Sequence, residues 1–137
     1  MNQMKGNKFR EIGKRVPIRD AASTVTGRKI YAGDMKLPGM LYAKVLFSPK
    51  AHARIKSIDT SRAESLPGVR AVATYKNTPQ TRFNSALRFI EHKIPNTERI
   101  FDDTVRFVGD RVAAVAADTL EIAQEAVKLI QVEYEEL

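Results

Sequence analysis

The run Val112-Ala113-Ala114-Val115-Ala116-Ala117 contains no polar side chain, so a strand built from it is apolar on both faces and has to be covered on both. Directly behind it, Asp118-Thr119-Leu120-Glu121 has the spacing of a capping box. Ala123, Ala126, Val127 and Ile130 then recur at i, i+3, i+4 and i+7, the apolar stripe of an amphipathic helix. A two-faced strand followed at once by a one-faced helix places that strand inside a sheet, between neighbours and beneath the helix.

The rest of the chain supplies candidate neighbours. Leu37-Pro38-Gly39-Met40 and Leu66-Pro67-Gly68-Val69 each put Pro and Gly where a type II turn wants them. A short apolar run follows the first over residues 40–47 and ends at Pro49. Residues 54–59 alternate polar and apolar, with Ile55 expected inward, and residues 69–75 alternate again. Ser61-Arg62-Ala63-Glu64 has capping-box spacing, and Pro67 limits the helix it opens to a turn or two. Gly109-Asp110 between residues 105–108 and 111–117 suits a type II′ hairpin, and Val132-Glu133-Tyr134 reads as a closing strand. Residues 77–103 lack periodicity, and Phe83, Leu87, Phe89 and Ile90 are expected to pack as an irregular flap. This order gives an α+β domain with a mixed, mostly antiparallel sheet, one long and one short helix. Residues 1–11 are expected to be a flexible tail and residues 12–137 the domain.

A chain of 137 residues, 43% hydrophobic and 28% charged, is long and apolar enough for one buried core. Its formal charge of +7 raises the alternative of a nucleic-acid-binding or independent interaction module. The basic residues are scattered among apolar ones, however, and Tyr42, Phe47 and Tyr75 sit in apolar runs rather than forming a basic stacking platform. No nucleic-acid partner is expected, and no membrane segment. The N-terminus has basic residues at Lys5, Lys8 and Arg10 without an apolar segment behind them, unlike a secretory signal. The absence of cysteine excludes thiolate ligands to zinc or iron–sulfur clusters and fits a cytoplasmic location.

Catalytic patterns are equally sparse. His52 and His92 are the only histidines, too few for a three-histidine metal site. Ser48, Ser57 and Ser61 lack a Gly-x-Ser-x-Gly elbow. Asp102-Asp103 suggests paired carboxylates, yet adjacent residues of an extended chain point apart, and a solvated turn before the hairpin is the expectation. Neither a P-loop nor Gly-x-Gly-x-x-Gly is present. No catalytic, cofactor-binding or metal-binding residue is therefore expected.

One ordered set of motifs is more specific. Val25-Thr26-Gly27-Arg28-Lys29-Ile30-Tyr31-Ala32-Gly33-Asp34, Leu37-Pro38-Gly39-Met40-Leu41-Tyr42-Ala43, Ser48-Pro49 and His52-Ala53-Arg54-Ile55 follow one another. Later come Leu66-Pro67-Gly68-Val69, Val105-Arg106-Phe107-Val108-Gly109-Asp110-Arg111-Val112-Ala113 and Val132-Glu133-Tyr134-Glu135. The series resembles the N-terminal α/β hammerhead domain of the molybdopterin-binding large subunits of xanthine dehydrogenase and aldehyde oxidase type hydroxylases. Two departures are Asp110-Arg111, where that family often has Glu-Pro, and Lys50, where a histidine or aromatic is common.

The resemblance implies a structural domain of an oxidoreductase. In that family the hammerhead precedes the segments that bind molybdopterin and supply a catalytic glutamate, and this chain is expected to stop before them and to be inactive alone. The parent enzyme would oxidise a purine, another heterocycle or an aldehyde with oxygen from water. Its molybdopterin-molybdenum, iron–sulfur clusters and FAD would sit on other domains or subunits. The implied partners are the remaining large-subunit domains and the iron–sulfur and flavin subunits or domains.

Overall fold

The computed structural model describes residue 15, residues 17–85 and residues 95–137. The expected tail over residues 1–11 lies outside the described residues, as do Leu87, Phe89, Ile90 and His92. The chain divides into two compact units between Leu37 and Pro38.

The first unit contains a short helix α1 (Ala21–Val25) and a 3-10 turn (Ala32–Asp34), where the sequence signalled no element. Neither contributes a buried residue. Backbone N–H groups of Arg28 and Lys29 return to the Ser23 carbonyl at 2.9 and 3.0 Å, closing the chain behind α1. The Asp34 carboxylate accepts the Tyr31 N–H at 3.0 Å and holds the 3-10 turn.

The second unit holds the rest: β1 (Tyr42–Phe47), β2 (Ala53–Asp59), α2 (Ser61–Glu64), β3 (Val69–Thr74), β4 (Thr104–Val105), β5 (Arg111–Ala117), α3 (Leu120–Leu129) and β6 (Gln131–Glu136). Its strands form two three-stranded sheets in the orders β1-β5-β3 and β4-β2-β6, with every pairing antiparallel. The apolar strand β5 is central, flanked by β1 and β3, and α3 packs against all three. Val112, Val115 and Ala126 are completely buried and form one core with Ile55 and Ile58 of the other sheet. The inward residues of β2 are Ala53, Ile55 and Ile58 rather than a strict alternation. A register shift between Ile55 and Ser57 explains this, since an extra residue turns the next side chain to the other face.

The expected hairpin across Gly109-Asp110 does not form. β4 pairs with β2 and β5 with β1 and β3, so the connection crosses from one sheet to the other. Asp110 N–H donates to the Phe107 carbonyl at 3.1 Å, which makes Val108 and Gly109 the central residues. Gly109, with φ of 93°, is then second of the pair, as in a type II turn, whose twist splays strands instead of joining them.

Both helix caps sit one residue from their expected positions. Thr119, not Asp118, caps α3, its hydroxyl accepting the Ile122 N–H at 3.3 Å. Asp118 is taken instead by a bidentate contact with Arg70 at 2.7 and 2.8 Å. At α2 the N-cap is Thr60, whose hydroxyl bonds Glu64 at 2.7 Å, while Asp59 receives the Ser61 N–H.

Candidate functional site

A group of charged side chains converges around β4 and the following turn. Glu98, Arg99, Asp102, Arg106, Asp110 and Arg111, with Thr97 and Phe107, line a cleft of about 220 Å³. Asp102 is its centre: one carboxylate oxygen accepts from Arg99 Nη1 and the other from Arg106 Nη1, each at 3.0 Å. Its side chain is only 12% exposed, so the carboxylate is not the solvated turn residue expected. Asp103 does point elsewhere, its side chain accepting the Thr104 hydroxyl at 3.0 Å.

The other charges are matched too. Glu98 accepts the Ser85 N–H at 3.1 Å and hydroxyl at 2.7 Å, and Arg111 approaches its second oxygen at 3.7 Å. The Asp110 carboxylate caps the turn by accepting the Arg106 and Arg111 N–H groups at 3.0 and 2.9 Å. Partial burial pushes the Asp102 carboxyl upward, but the hydrogen bond and charge of Arg106 and the hydrogen bond of Arg99 prevail and hold it below the usual carboxylate range. Hydrogen bonds from Ser85 likewise hold Glu98 low. Carboxylates held ionised in this way donate no proton near neutrality, and guanidinium groups do not give theirs up. The cleft acts as an electrostatic clasp that ties the segment before β4 to the start of β5.

The clasp has a testable pH signature. Because the folded Asp102 pKa lies below the unfolded value of about 3.9, its contribution is present above that value and fades as pH falls through the folded pKa. Asp102→Asn is expected to lower stability by about 1–2 kcal/mol at pH 7. Urea unfolding of wild type and variant should show that difference shrinking below about pH 4; a pH-independent difference would assign the effect to packing alone.

The other candidates from the sequence are not brought together. His52 is exposed at the start of β2, and its carbonyl accepts the Leu137 N–H at 3.0 Å. His92 lies outside the described residues. Ser48 is buried, but its hydroxyl closes a local turn with Lys50 at 3.0 Å. Ser57 donates to Glu133 at 3.2 Å on the exposed side of the second sheet, and Ser61 opens α2. Sequence reasoning missed the clasp. Its signal was the placement of Arg99 and Arg106 three and four residues either side of Asp102 in a stretch without periodicity.

Among the described residues no cluster of His, Cys, Asp or Glu suits a metal ion, and no helix is long and apolar enough to cross a membrane. The molybdenum–pterin group implied by the resemblance does not fit this cleft, which at about 220 Å³ is smaller than the ~300–1,000 Å³ usual for a cofactor site and has its arginines already paired with carboxylates. The buried polar side chains Ser48 and Thr74 are satisfied locally, which leaves only Arg99 Nε buried without a partner among the described residues. A single N–H does not hold a cofactor. The nucleic-acid alternative gains no support, because the arginines that converge are neutralised by carboxylates.

Comparison with known proteins identifies the fold. Residues 26–137 match the family described as "Aldehyde oxidase and xanthine dehydrogenase, a/b hammerhead domain". The chain is 44% identical over 126 residues to "Probable hypoxanthine oxidase XdhD" of Escherichia coli K12, covering 92% of this chain and 13% of that protein. It is 38% identical over 133 residues to "Nicotinate dehydrogenase large molybdopterin subunit" of Eubacterium barkeri, covering 96% and 30%. Among solved structures, quinoline 2-oxidoreductase from Pseudomonas putida 86 superposes with a TM-score of 0.78 at 38% identity, over 91% of this chain and 16% of that one. This chain thus spans 13% and 30% of the length of these two curated relatives. With that family match over residues 26–137 and relatives 38–44% identical over more than nine-tenths of its length, the chain belongs to the α/β hammerhead domain family of aldehyde oxidases and xanthine dehydrogenases.

Proposed function

We propose that this chain is a non-catalytic scaffold domain of a molybdenum hydroxylase large subunit, spanning residues 12–137. The observation that supports the reading is the clasp: where these charged side chains converge, each carboxylate already accepts from an arginine, a serine or a backbone N–H, which leaves no carboxylate of the cleft without a structural partner. The family's chemistry then belongs to other segments. They would bind molybdopterin and oxidise a purine, heterocycle or aldehyde with water, passing electrons to iron–sulfur and flavin domains or subunits. The whole assembly would work in the cytoplasm.

The test is a turnover assay on the purified chain, supplied with molybdenum–pterin cofactor released from an active hydroxylase. Hypoxanthine and benzaldehyde serve as substrates and an artificial dye as electron acceptor. The expected result is no dye reduction above a heat-denatured control and no molybdenum retained after gel filtration. Stoichiometric molybdenum on the chain, or sustained turnover, would overturn the scaffold reading.

A further inference from the structure

We infer that the turn at Gly109, together with Phe47, is the face by which this domain packs onto the rest of the large-subunit polypeptide, an inference that rests on the scaffold reading above. Phe47, Phe107 and Val108 are 55%, 58% and 66% exposed. They lie at one end of the first sheet. Phe47 pairs across from Arg111 at the end of β1, and the next residue, Ser48, is joined to the turn by two backbone hydrogen bonds. Ser48 N–H donates to the Asp110 carbonyl at 2.8 Å, and Gly109 N–H donates to the Ser48 carbonyl at 2.8 Å. Turns that end in water usually carry polar side chains, and grouped exposed apolar residues in a soluble protein mark a contact surface.

The backbone that displays these side chains is held from several directions. Besides the Ser48 bonds, Asp110 N–H closes the turn on Phe107, and the Asp110 carboxylate takes two flanking N–H groups. A surface fixed in advance loses little conformational freedom on contact. The adjoining charges set the chemistry of the occupant. Arg99, Arg106 and Arg111 share the cleft with Asp102, Glu98 and Asp110, three cations against three carboxylates, so the lining offers no net charge to a polyanion. An apolar socket is the complement. The chain spans 13% and 30% of two curated relatives and 16% of one solved chain, so most of the surface available to such a domain belongs to the same polypeptide.

The absence of cysteine makes a single introduced thiol unique within this chain. Val108→Cys is to be labelled with a maleimide in the isolated chain and, separately, in the complete large subunit that carries the domain. The rate at that residue is read by peptide mass spectrometry. Labelling at least about tenfold slower in the complete subunit is the expected result; equal rates overturn the inference and leave the scaffold reading standing. Concentration-dependent protection in the isolated chain, with sedimentation as a dimer, would make a second copy the occupant and overturn it as well. Turnover by the isolated chain would instead strike at the scaffold reading itself. Phe47→Cys repeats the measurement should Val108→Cys disturb folding.

Discussion

Val115→Asp is expected to abolish the cooperative thermal transition of this chain. Val115 has no exposed surface, sits on the central strand of its sheet and lies in register between Lys44 on β1 and Val72 on β3. Its neighbours in the buried core are apolar, and the half-buried Lys44 opposite it on β1 lies at the margin of that core, so an aspartate at 115 gives up its water for at most one flexible partner. An uncompensated charge in such a place costs at least about 3–5 kcal/mol, against a total stability of roughly 5–15 kcal/mol for a domain. Loss of a van't Hoff transition by circular dichroism and rapid exchange of the β5 amides are the expected observations. A transition within about 3 °C of wild type would mean that position 115 is open to water.

Gly68→Val is the next most damaging change. Gly68 has φ of 91°, the positive region that a β-branched residue hardly enters, and it supplies the second central residue of the turn closed by Val69 N–H on the Leu66 carbonyl. A Cβ there would lie 2.7 Å from Ile122 Cδ1 on α3. The end of an isoleucine can rotate away, so most of the cost comes from the backbone, about 1–3 kcal/mol, with roughly 1 kcal/mol more from disturbed packing against α3. Together these should lower Tm by roughly 10 °C in a chain of this size. Gly39→Val separates the two effects, because Gly39 also has positive φ, at 74°, but faces open space. If Gly39→Val proved as damaging as Gly68→Val, the contact with Ile122 would be irrelevant.

Local signals were legible in the sequence, and pairings remote in the chain were not. The apolar run of β5, the α3 stripe and the two Leu-Pro-Gly turns were readable because each depends on a few adjacent residues. The caps of α2 and α3 moved by one residue because Thr60 and Thr119 competed with Ser61 and Asp118, and only tertiary contact with Arg70 decides against Asp118. The hairpin misreading came from assigning Gly109 to the first central position instead of the second. Nothing local distinguishes one sheet from two. The clasp was missed although its centre is local, Arg99 and Arg106 lying three and four residues either side of Asp102; only the approach of Arg111 to Glu98 depends on β5 being in its sheet. The family resemblance was legible because the motif order survives even where individual pairings are opaque.

Each sheet is completed by a strand drawn from far along the chain: β1 waits for β5, and β2, ending at Asp59, waits for β6, ending at Glu136. On a ribosome adding about 5–20 residues per second, β2 therefore emerges roughly 4–15 s before its partner. During that interval Ile55 and Ile58 have no finished sheet to enter. Until β6 appears, the nascent domain is open to chaperones and to mispairing with its neighbours on a polysome.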